Sequence, residues 1–405
     1  MAGEFEAPRP RWRAGWIPTV VGIVLAVVAG VGAYVLVSRA DPAASDTSGS
    51  ATADMEPVIE LYEALTDSAV DTPDGDALVD AAIDAMLDEI DDEYARFFEA
   101  KEFAEFNATL DGTFSGVGLL LSDSPDGPVI VSVLEGTPAQ RAGIDEGERI
   151  VEVDGEDVSG DDLEQIVTKV KGEAGTSVSL GLAGGAQGRR TVDIVRAEFD
   201  LPLVVGEMID GDVGYVRLLQ FAEGAGSRVR REVRSLIDDG ASGIVLDLRE
   251  NPGGLLNEAV SVASVFIEDG EIVSVEKQGG ERESFDAVDD AFEQVPLVVL
   301  VDGHSASASE IVAGAVQDTD RGPIVGEATF GKGTVQTIAR LSDGSGAKFT
   351  TARYFTPSGE SIEGVGVQPD VEADTSAEDR TSEPADDPQV RAAIDELEQL
   401  VGARG

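Results

Sequence analysis

Residues 297–318 read LVVLVDGHSASASEIVAGAVQD, and the reading of this stretch decides the architecture around it. Leu297–Val301 is wholly apolar and ends at the turn pair Asp302-Gly303, the pattern of a short buried strand. A helix begins inside the Ser-Ala-Ser-Ala-Ser run that follows. A serine at such a junction can place its hydroxyl at a helix N-terminus, where unpaired N–H groups and the helix dipole favour a developing negative charge. Three serines there could equally be helix caps without a catalytic role.

The same alternation extends on both sides. VGYVRLLQF (213–221) reads as a strand, SRVRREVRSLIDD (227–239) as a helix and GIVLDLR (243–249) as a strand. Strand–helix alternation implies an α/β layer with parallel pairing, here over residues 199–374. Residues 113–198 have a different texture, with short apolar runs between Gly, Pro and Asp turn signals and one helix near 161–171. They form a β-rich module. Residues 55–112 carry apolar stripes at helical spacing, Val58, Leu61, Tyr62 and Leu65, then Leu78, Ala82, Ile83, Met86, Leu87 and Ile90, and are expected to pack on another part of the chain. Residues 40–54 read as a flexible tether, and residues 375–405 as an acidic tail with a final helix. The fold class is therefore multidomain α+β.

No charged side chain occurs from Ile17 to Val37, a run that spans roughly 30 Å as a helix. Arg9, Arg11 and Arg13 precede it. The positive-inside rule makes residues 1–39 a cytoplasmic tail and transmembrane helix, with everything after Ala40 outside the cell membrane. Signal-peptide cleavage near Ala40–Ala44 is the rival expectation.

The 405 residues include 29 basic and 79 acidic side chains, for a formal net charge of −50. Such a surface repels nucleic acid. The chain has no cysteine and a single histidine, His304. Thiol nucleophiles, thiolate metal sites and multi-histidine metal clusters are excluded, and neither a metal nor a cofactor is expected.

Two further segments carry chemistry. GEATFGKGTVQ (326–336) holds Lys332 between Gly331 and Gly333, with Gln336 beyond. Lysine serves as a base only where burial lowers its pKa from about 10.4, and glycines on either side let the backbone approach other groups. A solvated loop lysine would look the same. LDLRENPGGLL (246–256) ends a strand at Gly253-Gly254, where backbone N–H groups could face an oxyanion or simply make a turn.

Taken together and in this order, LRENPGG, GHSASASEIVAGA and GEATFGKGTVQ resemble the C-terminal processing peptidases, serine endopeptidases with a Ser/Lys dyad. SPDGPVIVSVLEGTPAQRAGIDEGERIVEVDGEDV resembles that family's PDZ domain, and YFTPSGESIEGVGVQPDV its closing segment. The resemblance implies Ser307 as nucleophile, Lys332 as base and Gln336 as the residue orienting the lysine. It also implies an oxyanion hole from the N–H of Ala308 with Gly253 or Gly254, and acyl-enzyme chemistry. Gly116, Val117, Gly118 and Leu119 match the loop that holds a peptide's terminal carboxylate, with Val117, Leu119 and Leu121 lining an apolar pocket. The implied partners are protein or peptide substrates with free C-termini, and a homo-oligomer is left open. His304 stands where the family commonly has glycine or a variable residue, and the acidic segment IDDEYARFF (90–98) departs from relatives without bearing on the dyad.

Rival readings fail on particular residues. An α/β-hydrolase needs G-x-S-x-G and a later histidine, and neither is present. A P-loop needs Ser or Thr after Lys332, where Gly333 stands. An inert PDZ-containing anchor or chaperone is the non-enzymatic alternative, opposed by the joint presence of Ser307, Lys332, Gln336 and the glycines.

Overall fold

The computed structural model describes residues 23–25 and 48–404, save for 72, 123–127, 135, 159, 162, 185–187, 201–202, 289 and 375–383. At its centre lies a six-stranded sheet in the order Val204–Ile209, Val213–Leu218, Gly243–Asp247, Leu297–Val301, Ile324–Gly326, Val371–Glu372. The first pair is an antiparallel hairpin and every other pairing is parallel. Leu297, Val299 and Val301 pack on one face with Val229, Val233, Ile311 and Val312 from the helices Ala225–Asp238 and Ala308–Asp318. Val298 and Leu300 pack on the other face with Val390, Ile394 and Leu397 of the C-terminal helix Pro388–Arg404. Burial on both faces explains why the strand shows no polar alternation.

A second, antiparallel sheet runs Arg282–Asp286, Glu271–Lys277, Gly346–Phe355, Thr334–Arg340, and Arg96–Phe98 joins it beside Gly346–Phe355. The expectation of a helical region over 55–112 is thus corrected in part, because Arg96–Phe98 is a strand of this second sheet. The helix Ala100–Leu110 follows it and buries Phe103, Phe106 and Leu110 with Phe98 and Ile338. The helices Ser48–Ser68 and Gly75–Glu89 form as expected, but their apolar stripes are not covered: Val58 is 44% and Leu61 59% exposed. Residues 48–54 of the expected tether belong to the first of these helices, since alanine favours helix over coil.

The β-rich module is entered and left through one antiparallel stem, Thr113–Gly116 against Ala197–Asp200. Its own sheet contains Leu119–Ser122, Val129–Val133, Arg149–Val153, Ser177–Ala183 and Arg190–Val195, closed by the helix Leu163–Val170. Ile23–Leu25 adds antiparallel to Leu119–Ser122, with Ile23 opposite Ser122 and Leu25 opposite Leu120. These three residues are strand where the sequence predicts a membrane-spanning helix, and the rest of the 17–37 run lies outside the described residues. No described helix is long and apolar enough to cross a membrane.

Candidate active site

The turn after Leu297–Val301 is built by Asp302, whose Oδ1 accepts from the N–H groups of Glu250, His304 and Ser305 at 3.0–3.1 Å. The flanking serines are structural. Ser305 Oγ donates to the Leu248 carbonyl and Ser309 Oγ to the Asn251 carbonyl, each at 2.8 Å, so both fasten this turn to the 248–254 loop. Ser307 is the residue left between them, at the N-terminus of the helix Ala308–Asp318, with φ 54° and ψ −110°. A non-glycine residue there stores about 1–3 kcal/mol of strain that its surroundings must offset.

Gly253 presses against this turn, while Gly254 packs on the Phe221 backbone. A Cβ on Gly253 (φ 99°) would lie 2.7 Å from the Ala306 carbonyl, 2.9 Å from the Ala308 nitrogen and 2.9 Å from Ser307 Cβ. Only glycine lets the loop approach so closely. The structure thus gathers Ser307, Ala308 and Gly253 in one place. The Gly253 N–H itself donates to Asn251 Oδ1 at 2.9 Å, within its own loop.

Lys332 stands in the loop that leads from Ile324–Gly326 of the central sheet into Thr334–Arg340 of the other, and is 4% exposed. Burial lowers its pKa to about 8, helped by the nearby Lys348 cation and opposed by Glu363, Asp92 and Glu310. The ring of Tyr94 lies 4.2 Å from Nζ. Gln336 is fully buried on the adjoining strand Thr334–Arg340. Its Nε2 donates to Thr334 at 2.9 Å and Thr350 at 3.3 Å, while Oε1 has no partner. An orphaned buried amide oxygen costs about 1–3 kcal/mol.

Beside Tyr94 opens a cavity of about 810 Å³ lined by Asp88, Asp91, Asp92, Glu93, Arg353 and Glu363 among others. Segment 90–98 therefore does bear on the site, contrary to its reading in sequence. Glu310 was also missed, although Ser307-x-x-Glu310 has the spacing of a capping box, a signal legible in sequence. Tyr94 and Tyr354 carried no comparable signal.

Among the described residues, Glu250, Asp302 and His304 could hold a metal ion, their ligand atoms lying within 4.8 Å of one another. His304 Nδ1 is 3.4 Å from Glu250 Oε1, so a protonated imidazole can itself serve as counter-ion.

The PDZ-like loop differs from expectation. Val117, Leu119 and Leu121 are buried in the module's own core with Ile130 and Ile166 instead of lining an open pocket. Gly116 pairs with Ala197 in the stem, and the Val117 and Gly118 carbonyls accept from Ala139 and Leu134. Gly118 turns with φ 85° against Thr137.

A strained serine at a helix N-terminus, Gly253 packed on its backbone and a buried lysine of lowered pKa are the parts a serine hydrolase needs, here set on an α/β core. Comparison with known proteins agrees. The model of peptidase family S41 matches residues 212–373 and a PDZ-domain model residues 129–183. The carboxy-terminal processing protease CtpA of Bacillus subtilis is 33% identical over 353 residues, covering 87% of this chain and 76% of that protein. The carboxy-terminal-processing protease of Bartonella bacilliformis is 37% identical over 319 residues, with 77% and 73% covered. The solved photosystem II D1 C-terminal processing protease superposes with a TM-score of 0.52 at 34% identity, covering 79% and 86%. The chain belongs to peptidase family S41, among the carboxy-terminal processing proteases, and is a serine-type endopeptidase.

Proposed function

We propose that this peptidase cuts protein substrates near their C-termini through a Ser307/Lys332 dyad, while the PDZ module receives the substrate's free, apolar C-terminus. One observation carries the reading: a buried lysine with a pKa of about 8 is tied through Glu310 to the same turn that strains Ser307. Neutral Lys332 takes the Ser307 proton as Oγ attacks the scissile carbonyl. The oxyanion receives the N–H of Ala308 and of Gly253 or Gly254. Lys332 then protonates the leaving amine, and water releases the acyl group. In this reading the Gly253–Asn251 bond opens when substrate arrives, and the unpartnered Gln336 Oε1 accepts from the lysine amine.

Residues 17–37 are proposed to anchor the chain in the cell membrane with the catalytic region extracytoplasmic, supported by their lack of charge and the arginines before them. Insertion would withdraw Ile23–Leu25 from the Leu119–Ser122 edge and leave it for a substrate strand. The exposed stripes of Ser48–Ser68 and Gly75–Glu89 support a homo-oligomer.

The test is cleavage of casein by the full chain in detergent. Ser307→Ala and Lys332→Ala should each abolish it with the melting curve intact, and His304→Ala should retain it. Turnover by Lys332→Ala near that of the unaltered chain would remove the dyad. No cleavage by the unaltered chain would leave the inert PDZ-containing anchor.

A further inference from the structure

The backbones of Ser307 and Lys332 are held by the same two side chains. Their N–H groups both donate to one oxygen, Glu310 Oε2, at 2.7 and 2.9 Å. Their carbonyls both face one phenol, Tyr354 Oη, whose single proton the Lys332 carbonyl and the Ser307 carbonyl, at 3.2 Å, share. The other carboxylate oxygen of Glu310 accepts from Gly331 N–H at 2.7 Å and from Thr329 Oγ1 at 2.6 Å. Thr329 Oγ1 in turn accepts from the Val367 N–H. Glu310 is fully buried and Tyr354 is 1% exposed.

All four partners of Glu310 are donors, so it is the carboxylate that they hold. Burial raises its pKa above the ordinary carboxylate value, and these donors offset that only in part. The two gripping residues come from different layers, Glu310 from the helix Ala308–Asp318 and Tyr354 from the strand Gly346–Phe355. Neither the Leu297–Val301 strand nor the Thr334–Arg340 strand sets the distance between serine and lysine by itself, because they belong to different sheets.

We infer that Glu310 and Tyr354 are positioning residues that act as one clamp, fixing the strained Ser307 backbone in register with the Lys332 loop. The inference rests on the Ser307/Lys332 reading of the dyad. Glu310→Gln puts an amide nitrogen where donors converge. Tyr354→Phe removes the phenol and keeps the ring. Misplacement of reacting groups by about 1 Å costs on the order of 100-fold in rate. Each variant of the full chain should therefore lose roughly 10- to 100-fold in kcat, with KM for a casein-derived peptide unchanged within about twofold, because neither group is placed to touch substrate.

Two further readouts separate a clamp from a generic packing role. The double variant should be no slower than the worse single, as expected of groups that act as a unit. Glu310→Gln should also move the acid limb of the pH–rate profile to lower pH. It removes one of the three carboxylates, with Glu363 and Asp92, that favour the Lys332 ammonium against Lys348. Tyr354→Phe should leave that limb in place. Losses that add, or kcat within twofold of the unaltered chain for Tyr354→Phe, would overturn the clamp. If Glu310→Gln fails to fold, Tyr354→Phe decides alone. Ser307→Ala assayed in parallel distinguishes the two failures: if it still cuts, the dyad is wrong; if it is dead while the clamp variants are fast, only the clamp is.

Discussion

The ring of Tyr94 covers the Nζ of Lys332 at 4.2 Å, although the two residues reach the site from opposite ends of the chain. Asp92 fixes the ring's approach, accepting from the Thr350 N–H and hydroxyl at 2.6 and 3.0 Å. The aromatic face favours the ammonium by roughly 0.5–2 kcal/mol. Burial, which the same ring helps supply, disfavours it by more, since the pKa falls from 10.5 to about 8.

A pH profile follows from that balance. The base must be neutral, so kcat/KM should rise with pH through about 8. Tyr94→Ala admits water to the amine and should move this limb upward, towards the ordinary lysine value. Tyr94→Phe keeps the ring and should leave it in place. A limb unmoved by Tyr94→Ala would show that the burial of Lys332 comes from other walls.

Gly253→Ala should lower kcat by about 100- to 1,000-fold, the usual effect of removing an oxyanion donor. The added Cβ would meet the Ala306 carbonyl at 2.7 Å, so the loop must retreat from Ser307. Steady-state kinetics with a parallel melting curve checks this. Near-normal turnover would mean that the loop does not face the developing charge.

Arg249 is 6% exposed and bridges Asp247 at 2.7 Å and Asp387 at 3.0 Å. It ties the C-terminal helix to the end of the Gly243–Asp247 strand. Arg249→Ala leaves buried carboxylates unpaired and should cost about 3–5 kcal/mol in urea denaturation. Burial alone would raise the Asp247 pKa, but the guanidinium outweighs it and brings it to about 2. The folded value lies below the ordinary one. Its stabilisation is therefore complete above about pH 4 and is lost as pH falls through about 2, a dependence that Arg249→Ala should weaken.

Peptides that differ only in a free or amidated C-terminus test the PDZ module, with rates compared as kcat/KM. The free, apolar terminus should be cut faster. Gly118→Ala should erase the difference, because its Cβ would sit 2.2 Å from Thr137 Cβ at φ 85°. Leu119 is unsuited to the same test, since a charge there would enter the module's core. Equal rates in the unaltered chain would make the module structural.

Local order was legible where one short stretch carries the whole instruction. The wholly apolar Leu297–Val301 must be buried on both faces, which forces it into the middle of the parallel sheet. Gly253 and Lys332 stood out because glycine pairs and a glycine-flanked lysine are local signals. The strand Arg96–Phe98 did not, since three residues beside two helices have no periodicity of their own and become strand only against Gly346–Phe355. The stripes of Ser48–Ser68 and Gly75–Glu89 show the converse: periodicity predicts a helix and an apolar face, and cannot supply the surface that covers it.

The amino-acid sequence by itself determined the strand–turn–helix that carries Ser307, the glycines that allow close approach, and family membership, because each is written in consecutive residues. Only the tertiary structure decided that Ser305 and Ser309 fasten the turn to the 248–254 loop, that Tyr94 closes over the lysine, and that Glu310 and Tyr354 grip the backbones of both Ser307 and Lys332. These are relations between segments far apart in the chain. They exist only once the burial of two sheets has brought their backbones together, and no local pattern records the distance at which they meet.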